Sequence, residues 1–144
     1  DRVLWGEIAR IRSQFPADRV VFAGDFNVCL ETSDHFSNKE FDNKLAGMEL
    51  VNKQFARERL REHGLYDTYK LKNSREIFDR FHWTFKTARY GNAKTGLVSD
   101  VVERGETLGL WRLDYIFISD PNLFTNCSTM LCIKSSDHVP IIAW

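Results

Sequence analysis

The chain carries no excess of either charge: 20 Lys and Arg residues balance 20 Asp and Glu residues. A neutral chain does not advertise a polyanionic partner, although it leaves room for a local basic patch. No apolar run reaches membrane-spanning length and no signal-peptide pattern occurs in these 144 residues. A soluble, intracellular protein with no membrane partner is expected. The three cysteines, Cys29, Cys127 and Cys132, are odd in number and lack metal-ligand spacing. Free thiols in a reducing compartment are therefore expected, not a disulfide framework or a zinc site. A P-loop, a serine nucleophile elbow and an EF-hand loop are all missing as well.

What is present supports a real core. Hydrophobic residues make up 43% of the chain, with 11 Phe and 4 Trp, and the length suits one domain. Val3, Leu4, Ile8, Ile11 and Phe15 recur at helical spacing, and Pro16 closes that helix. Polar, turn-prone residues from Cys29 to Asn38 predict a loop, in which His35 reads as a partly exposed residue before a catalytic one. Lys39 to His63 is the longest periodic stretch, a helix that Gly64 can cap in the left-handed conformation. Arg57, Arg59 and Arg61 alternate with Glu58 and Glu62, which predicts a solvated face. Phe81, Trp83 and Phe85 alternate as on one strand face, and Trp83 is also placed to stack on a base or sugar. From Lys86 to Gly109 an exposed loop is expected, apart from a strand around Leu97 to Val102. Its Lys86, Arg89 and Lys94 would suit phosphate contacts.

Three short motifs carry the chemistry. Val20 to Ala23 predict a buried strand that runs into Gly24-Asp25-Phe26-Asn27. If the chain stays extended, Asp25 and Asn27 share one side while Phe26 anchors the other. Trp111 to Ser119 reads as one strand with Asp114 inside it, where a carboxylate needs a partner. Ser136-Asp137-His138 precedes a terminal strand, Ile141 to Trp144. Adjacent residues of an extended segment point to opposite sides. A distant carboxylate is therefore the expected partner of His138, with Asp114 the natural candidate, while Asp137 is expected to face a metal. Carboxylates with a paired histidine suit metal-assisted hydrolysis of a phosphate ester.

Gly24-Asp25-Phe26-Asn27, Trp111-Arg112-Leu113-Asp114-Tyr115 and Ser136-Asp137-His138 resemble, in order and spacing, the carboxyl-terminal motifs of the endonuclease/exonuclease/phosphatase superfamily. Within it the chain is most similar to abasic-site endonucleases of the exonuclease III type, and Gly64 to Tyr69 and Phe81-His82-Trp83 fit that subgroup. The resemblance implies an α/β chain forming half of a four-layer α/β/β/α sandwich (DNase I-like), with a mixed, mostly antiparallel sheet. Residues 1–144 would be the carboxyl-terminal portion of one such domain, its amino-terminal half absent, and inactive or poorly folded until that half is supplied. The intact protein would be a monomer acting on double-stranded DNA.

The implied roles are specific. Asp25 orients or deprotonates the attacking water, and Asn27 supports the site and contacts the phosphate. His138, held by Asp114, stabilises charge on the scissile phosphoryl group. Asp137 is the metal-side carboxylate, with Mg²⁺ as the ion and Mn²⁺ as a substitute. Trp83, Trp111 and Leu113 wall a pocket for an extruded, baseless sugar. The reaction would be DNA hydrolysis 5′ to an abasic site, with 3′-exonuclease activity alongside it. Against the pattern that the resemblance implies, the loop from Lys86 to Gly109 is long, and Leu110 stands where Gly is expected. Three other readings are a retrotransposon-type endonuclease on ordinary duplex DNA, a phosphoinositide or sphingolipid phosphodiesterase of the same fold, and a non-catalytic binding remnant.

Overall fold

A computed structural model describes residues 2–16, 19–31, 34–37, 43–73, 84–88, 108–129 and 138–144. The chain has a mixed α/β fold. Among the described residues, the helices α1 (Arg2–Gln14), α2 (Asn43–Glu62) and the short α3 (Thr68–Lys72) accompany small antiparallel sheets. The first sheet has the order β1-β6-β3, from β1 (Val21–Asp25), β6 (Asp114–Ile118) and β3 (Tyr66–Asp67). The second has the order β2-β5-β4, from β2 (His35–Ser37), β5 (Leu108–Trp111) and β4 (Phe85–Ala88). A third pairs β7 (Cys127–Thr129) with β8 (Ile141–Ala143).

Strand alternation assigns the two faces of the first sheet. Tyr115 and Phe117 of β6 point to the helices, where Phe22 and Phe26 join Trp5 and Ile8 of α1 and Ala56 and Leu60 of α2. The aromatic rings set the packing. Phe26 meets Phe117 edge-on at 4.7 Å, and Tyr115 stacks on Phe117 at 5.2 Å. Full burial of Phe117 alone contributes about 1.5–3 kcal/mol. Asp114 and Ile116 fall on the opposite face by the same alternation. The candidate site therefore sits across the sheet from the helical core.

Several local expectations are corrected by the fold. The buried stripe of α1 is Trp5 and Ile8, whereas Val3 and Phe15 are exposed. Residues 35–37, expected in a loop, form β2 and pair with β5. The expected single strand from Trp111 to Ser119 is two strands, interrupted at Arg112 and Leu113. There the chain passes from the second sheet to the first: the Arg112 amide donates to the Asp34 carbonyl at 2.8 Å, and the Phe26 amide donates to the Leu113 carbonyl at 2.9 Å. Of the helix expected over residues 39–63, the described residues form α2 from Asn43 to Glu62, and Gly64, with φ +58°, closes it as expected. Leu65 N–H reaches Leu60 C=O at 2.9 Å and Gly64 N–H reaches Arg61 C=O at 3.2 Å, the paired bonds of a glycine-capped helix end. The strand expected around residues 97–102 and the faces of Phe81 and Trp83 lie outside the described residues.

Candidate active site

The register of β1 on β6 brings two of the motifs together. Asp25 is the direct partner of Asp114, one position beyond Gly24 opposite Tyr115. The Phe26-to-Leu113 bond makes the next position the hydrogen-bonded one, so Asp25 and Asp114 occupy the closer, non-hydrogen-bonded position. Two carboxylates thus share one face at the end of the sheet. Like charges directly opposite repel.

His138 joins one member of this pair. Its Nδ1 lies 2.9 Å from Asp114 Oδ2, with both side chains half-buried. The expected contact between His138 and Asp114 is therefore made. A proton on Nδ1 donated to Asp114 leaves Nε2 as the ring acceptor. Around the pair is a cleft of about 430 Å³ lined by Ala23, Gly24, Asp114, Ile116, His138 and Val139, with Pro140 and Ile141 completing it. One wall is thus the outer face of β1 and β6, and the other is the segment entering β8.

The first motif differs from its expected conformation. The strand ends at Asp25, and Asn27 adopts φ +50° instead of continuing extended. The Asn27 N–H donates to Asp25 Oδ1 at 2.8 Å, a turn that Asp and Asn favour. This turn holds one oxygen of Asp25 toward its own backbone and keeps both residues exposed. Phe26 is buried on the reverse side as expected. Gly24 has φ +151°, a backbone shape that side-chain-bearing residues rarely adopt.

Trp111 is buried at the end of β5, and Leu113 is half-buried in the crossing. Neither is among the residues that line the cleft. Trp83 and Asp137 lie outside the described residues. Among the described residues, no group of three or more His, Cys, Asp and Glu side chains converges to hold a metal ion. Asp25 and Asp114 supply hard oxygen donors on one face, the donor type that suits Mg²⁺ held by one or two carboxylates, waters and a phosphate.

Behind the site lies a buried ionic knot that sequence reasoning did not assign. Arg112 is almost fully buried, and its Nε donates to Asp34 Oδ1 at 2.9 Å. Its two terminal nitrogens donate to Asp67 at 3.0 and 2.7 Å, a bidentate fork. The guanidinium also lies over the rings of Tyr115 at 4.5 Å and Tyr69 at 5.1 Å. Burial alone would push the Arg112 pKa down, but Asp67 and Asp34 outweigh it and hold it well above the usual range. Burial, reinforced by Asp34, pushes the Tyr115 phenol well up, so it stays protonated. Its oxygen lies 2.9 Å from Val28 O and 2.8 Å from Arg112 O, and it accepts from Leu30 N–H at 3.1 Å. The knot thus fixes the loop that follows Asn27 onto the crossing that precedes Asp114. The available signal was Arg112 itself, a charge between Trp111 and Leu113 that demands buried anions.

No protein-family model matches the chain, and no curated protein matches it.

Proposed function

We propose that this chain belongs to a metal-dependent phosphodiesterase of the endonuclease/exonuclease/phosphatase superfamily, closest to the abasic-site endonucleases of the exonuclease III type. The observation that carries the reading is the convergence of three separate motifs: Asp114 of the second lies opposite Asp25 of the first and 2.9 Å from His138 of the third. A strand-end turn or a lone histidine would be ordinary. A histidine locked to one of two facing carboxylates beside an open cleft is an acid–base arrangement. The first antiparallel sheet, with α1 and α2 on one face, is compatible with one half of the four-layer DNase I-like sandwich that this superfamily adopts.

In the proposed mechanism, Asp25 accepts a proton from a water aimed at the phosphorus. Asn27, on the adjacent turn, positions the phosphate. Attack forms a new P–O bond and breaks the bond to the 3′ oxygen, which leaves as a 3′-hydroxyl once protonated. His138, oriented by Asp114, stabilises the charge that develops on the phosphoryl oxygens. Asp137 is proposed to hold the Mg²⁺, which would neutralise phosphate charge when bound. Trp83 is proposed to shape the space for the extruded sugar, whose release from the stack is cheaper when the base is gone.

A substrate panel tests this reading. Duplex DNA with one abasic site, intact duplex DNA and phosphoinositide vesicles are each incubated with the product of the complete reading frame and Mg²⁺. Incision restricted to the abasic duplex is the expected result. Equal cutting of intact duplex would shift the assignment to a retrotransposon-type endonuclease. Turnover of lipid alone would remove DNA from the account.

A further inference from the structure

We propose that Thr84 is a positioning residue that holds Asp114 and His138 in register with each other. Thr84 is fully buried just before β4, and its neighbours are the two segments that carry the pair. Its Oγ1 accepts from the Leu113 amide at 2.9 Å and from the Asp114 amide at 3.0 Å. Its own amide donates to Trp111 C=O at 2.8 Å, and its carbonyl accepts from Val139 N–H at 2.6 Å. One residue is therefore bonded to the strand end that bears Asp114 and to the residue that follows His138.

The location explains why such a residue is needed. At Arg112 and Leu113 the chain changes sheets, so the amides there have no continuous ladder to join. Asp114 occupies the non-hydrogen-bonded position against β1, which turns its amide to the far side. On that side β3 reaches only Phe117 and Ile118. A buried amide must find an acceptor, and the Thr84 hydroxyl supplies one for two successive residues. The backbone of the same residue then fixes the approach of the 138–139 segment. The 2.9 Å contact between His138 and Asp114 joins two segments that Thr84 already ties together.

The purpose of the pair rests on the phosphodiesterase reading, but its geometry does not, and the test separates the two. Thr84→Val keeps the branched shape and removes the acceptor, whereas Thr84→Ser keeps the hydroxyl. Imidazole ¹⁵N–¹H correlation spectra of the chain report the protonation and hydrogen bonding of His138, assigned with His138→Ala, and Asp114→Asn defines loss of the contact. Thr84→Val is expected to move the His138 nitrogens toward the Asp114→Asn pattern, and Thr84→Ser to retain the wild-type pattern. Should Thr84→Val not fold, Thr84→Ser decides: a Ser variant that loses the wild-type pattern overturns the role given to the hydroxyl. A folded Thr84→Val with unchanged His138 signals overturns it as well. In any form that turns over phosphodiester, Thr84→Val should lower kcat by about 100-fold with little change in KM, and Thr84→Ser should restore most of it. Shifted signals without turnover in any form, wild type included, would sink the phosphodiesterase reading and uphold the positioning role.

Discussion

Replacing Arg112 by Met should be among the most damaging single changes in the chain. The side chain is only 1% exposed and is bound to Asp34, 3% exposed, and Asp67, 9% exposed. Met preserves much of the length and apolar stem but withdraws three charge-assisted hydrogen bonds and strands two buried carboxylates. Removing one member of a buried ionic group costs about 3–5 kcal/mol, mostly through the charge left behind. The cost is a large share of a domain stability of about 5–15 kcal/mol. With an m-value of about 2 kcal/mol/M, the urea midpoint should fall by roughly 1.5–2.5 M. The triple variant Arg112→Met, Asp34→Asn, Asp67→Asn should recover part of the loss, because it removes the stranded charges. Arg112→Lys should remain well below wild type, since an ammonium cannot reproduce the fork. A midpoint shift under about 0.5 M for Arg112→Met would refute the claim that this knot holds the sheet crossing together.

Two further substitutions probe the frame around the cleft. Tyr115 keeps its proton in the folded state beyond its ordinary value of 10.0, so above about pH 10 the unfolded chain loses that proton first. Stability should fall there by up to about 1.4 kcal/mol per pH unit from this group. Tyr115→Phe should cost about 1–3 kcal/mol at neutral pH and flatten the alkaline slope; an equal slope in chemical denaturation at pH 9 to 11 would contradict the assignment. At Gly24 an added Cβ meets no atom within 4 Å, but φ is +151°. Gly24→Ala should therefore destabilise by about 1–3 kcal/mol through backbone strain alone, and a thermal midpoint equal to wild type would show that the strand end relaxes freely.

Local rules carried the reading of the sequence a long way at some positions and failed at others for identifiable reasons. The Gly64 stop follows from backbone sterics, and the expectation that His138 would not pair with its neighbour follows from strand alternation; both act within a few residues. The break at Arg112 and Leu113 does not follow from such rules. Trp111 to Ser119 is apolar enough to read as one strand, and its interruption depends on Asp34, 78 residues away, and Asp67, 45 residues away. The extended form expected through Asn27 lost to a side-chain bond from the neighbouring Asp25, a competition in which Asp and Asn often favour the turn. On α1, the periodic set held at Leu4, Ile8 and Ile11 but failed at its exposed ends, Val3 and Phe15, and it missed Trp5, which packs on Phe26 and Phe117. Thr84 gave no signal at all in sequence. Its importance lies in which amides it meets.

The most direct test of the central claim is strand cleavage of a duplex oligonucleotide bearing one abasic site, in Mg²⁺ and in EDTA. The protein is the product of the complete reading frame, as wild type, Asp25→Asn and His138→Ala. The account predicts Mg²⁺-dependent incision on the 5′ side of the abasic site by wild type. It also predicts losses of at least about 100-fold in each variant, with folding retained. No incision by the folded wild type, or incision that survives both substitutions, would contradict it.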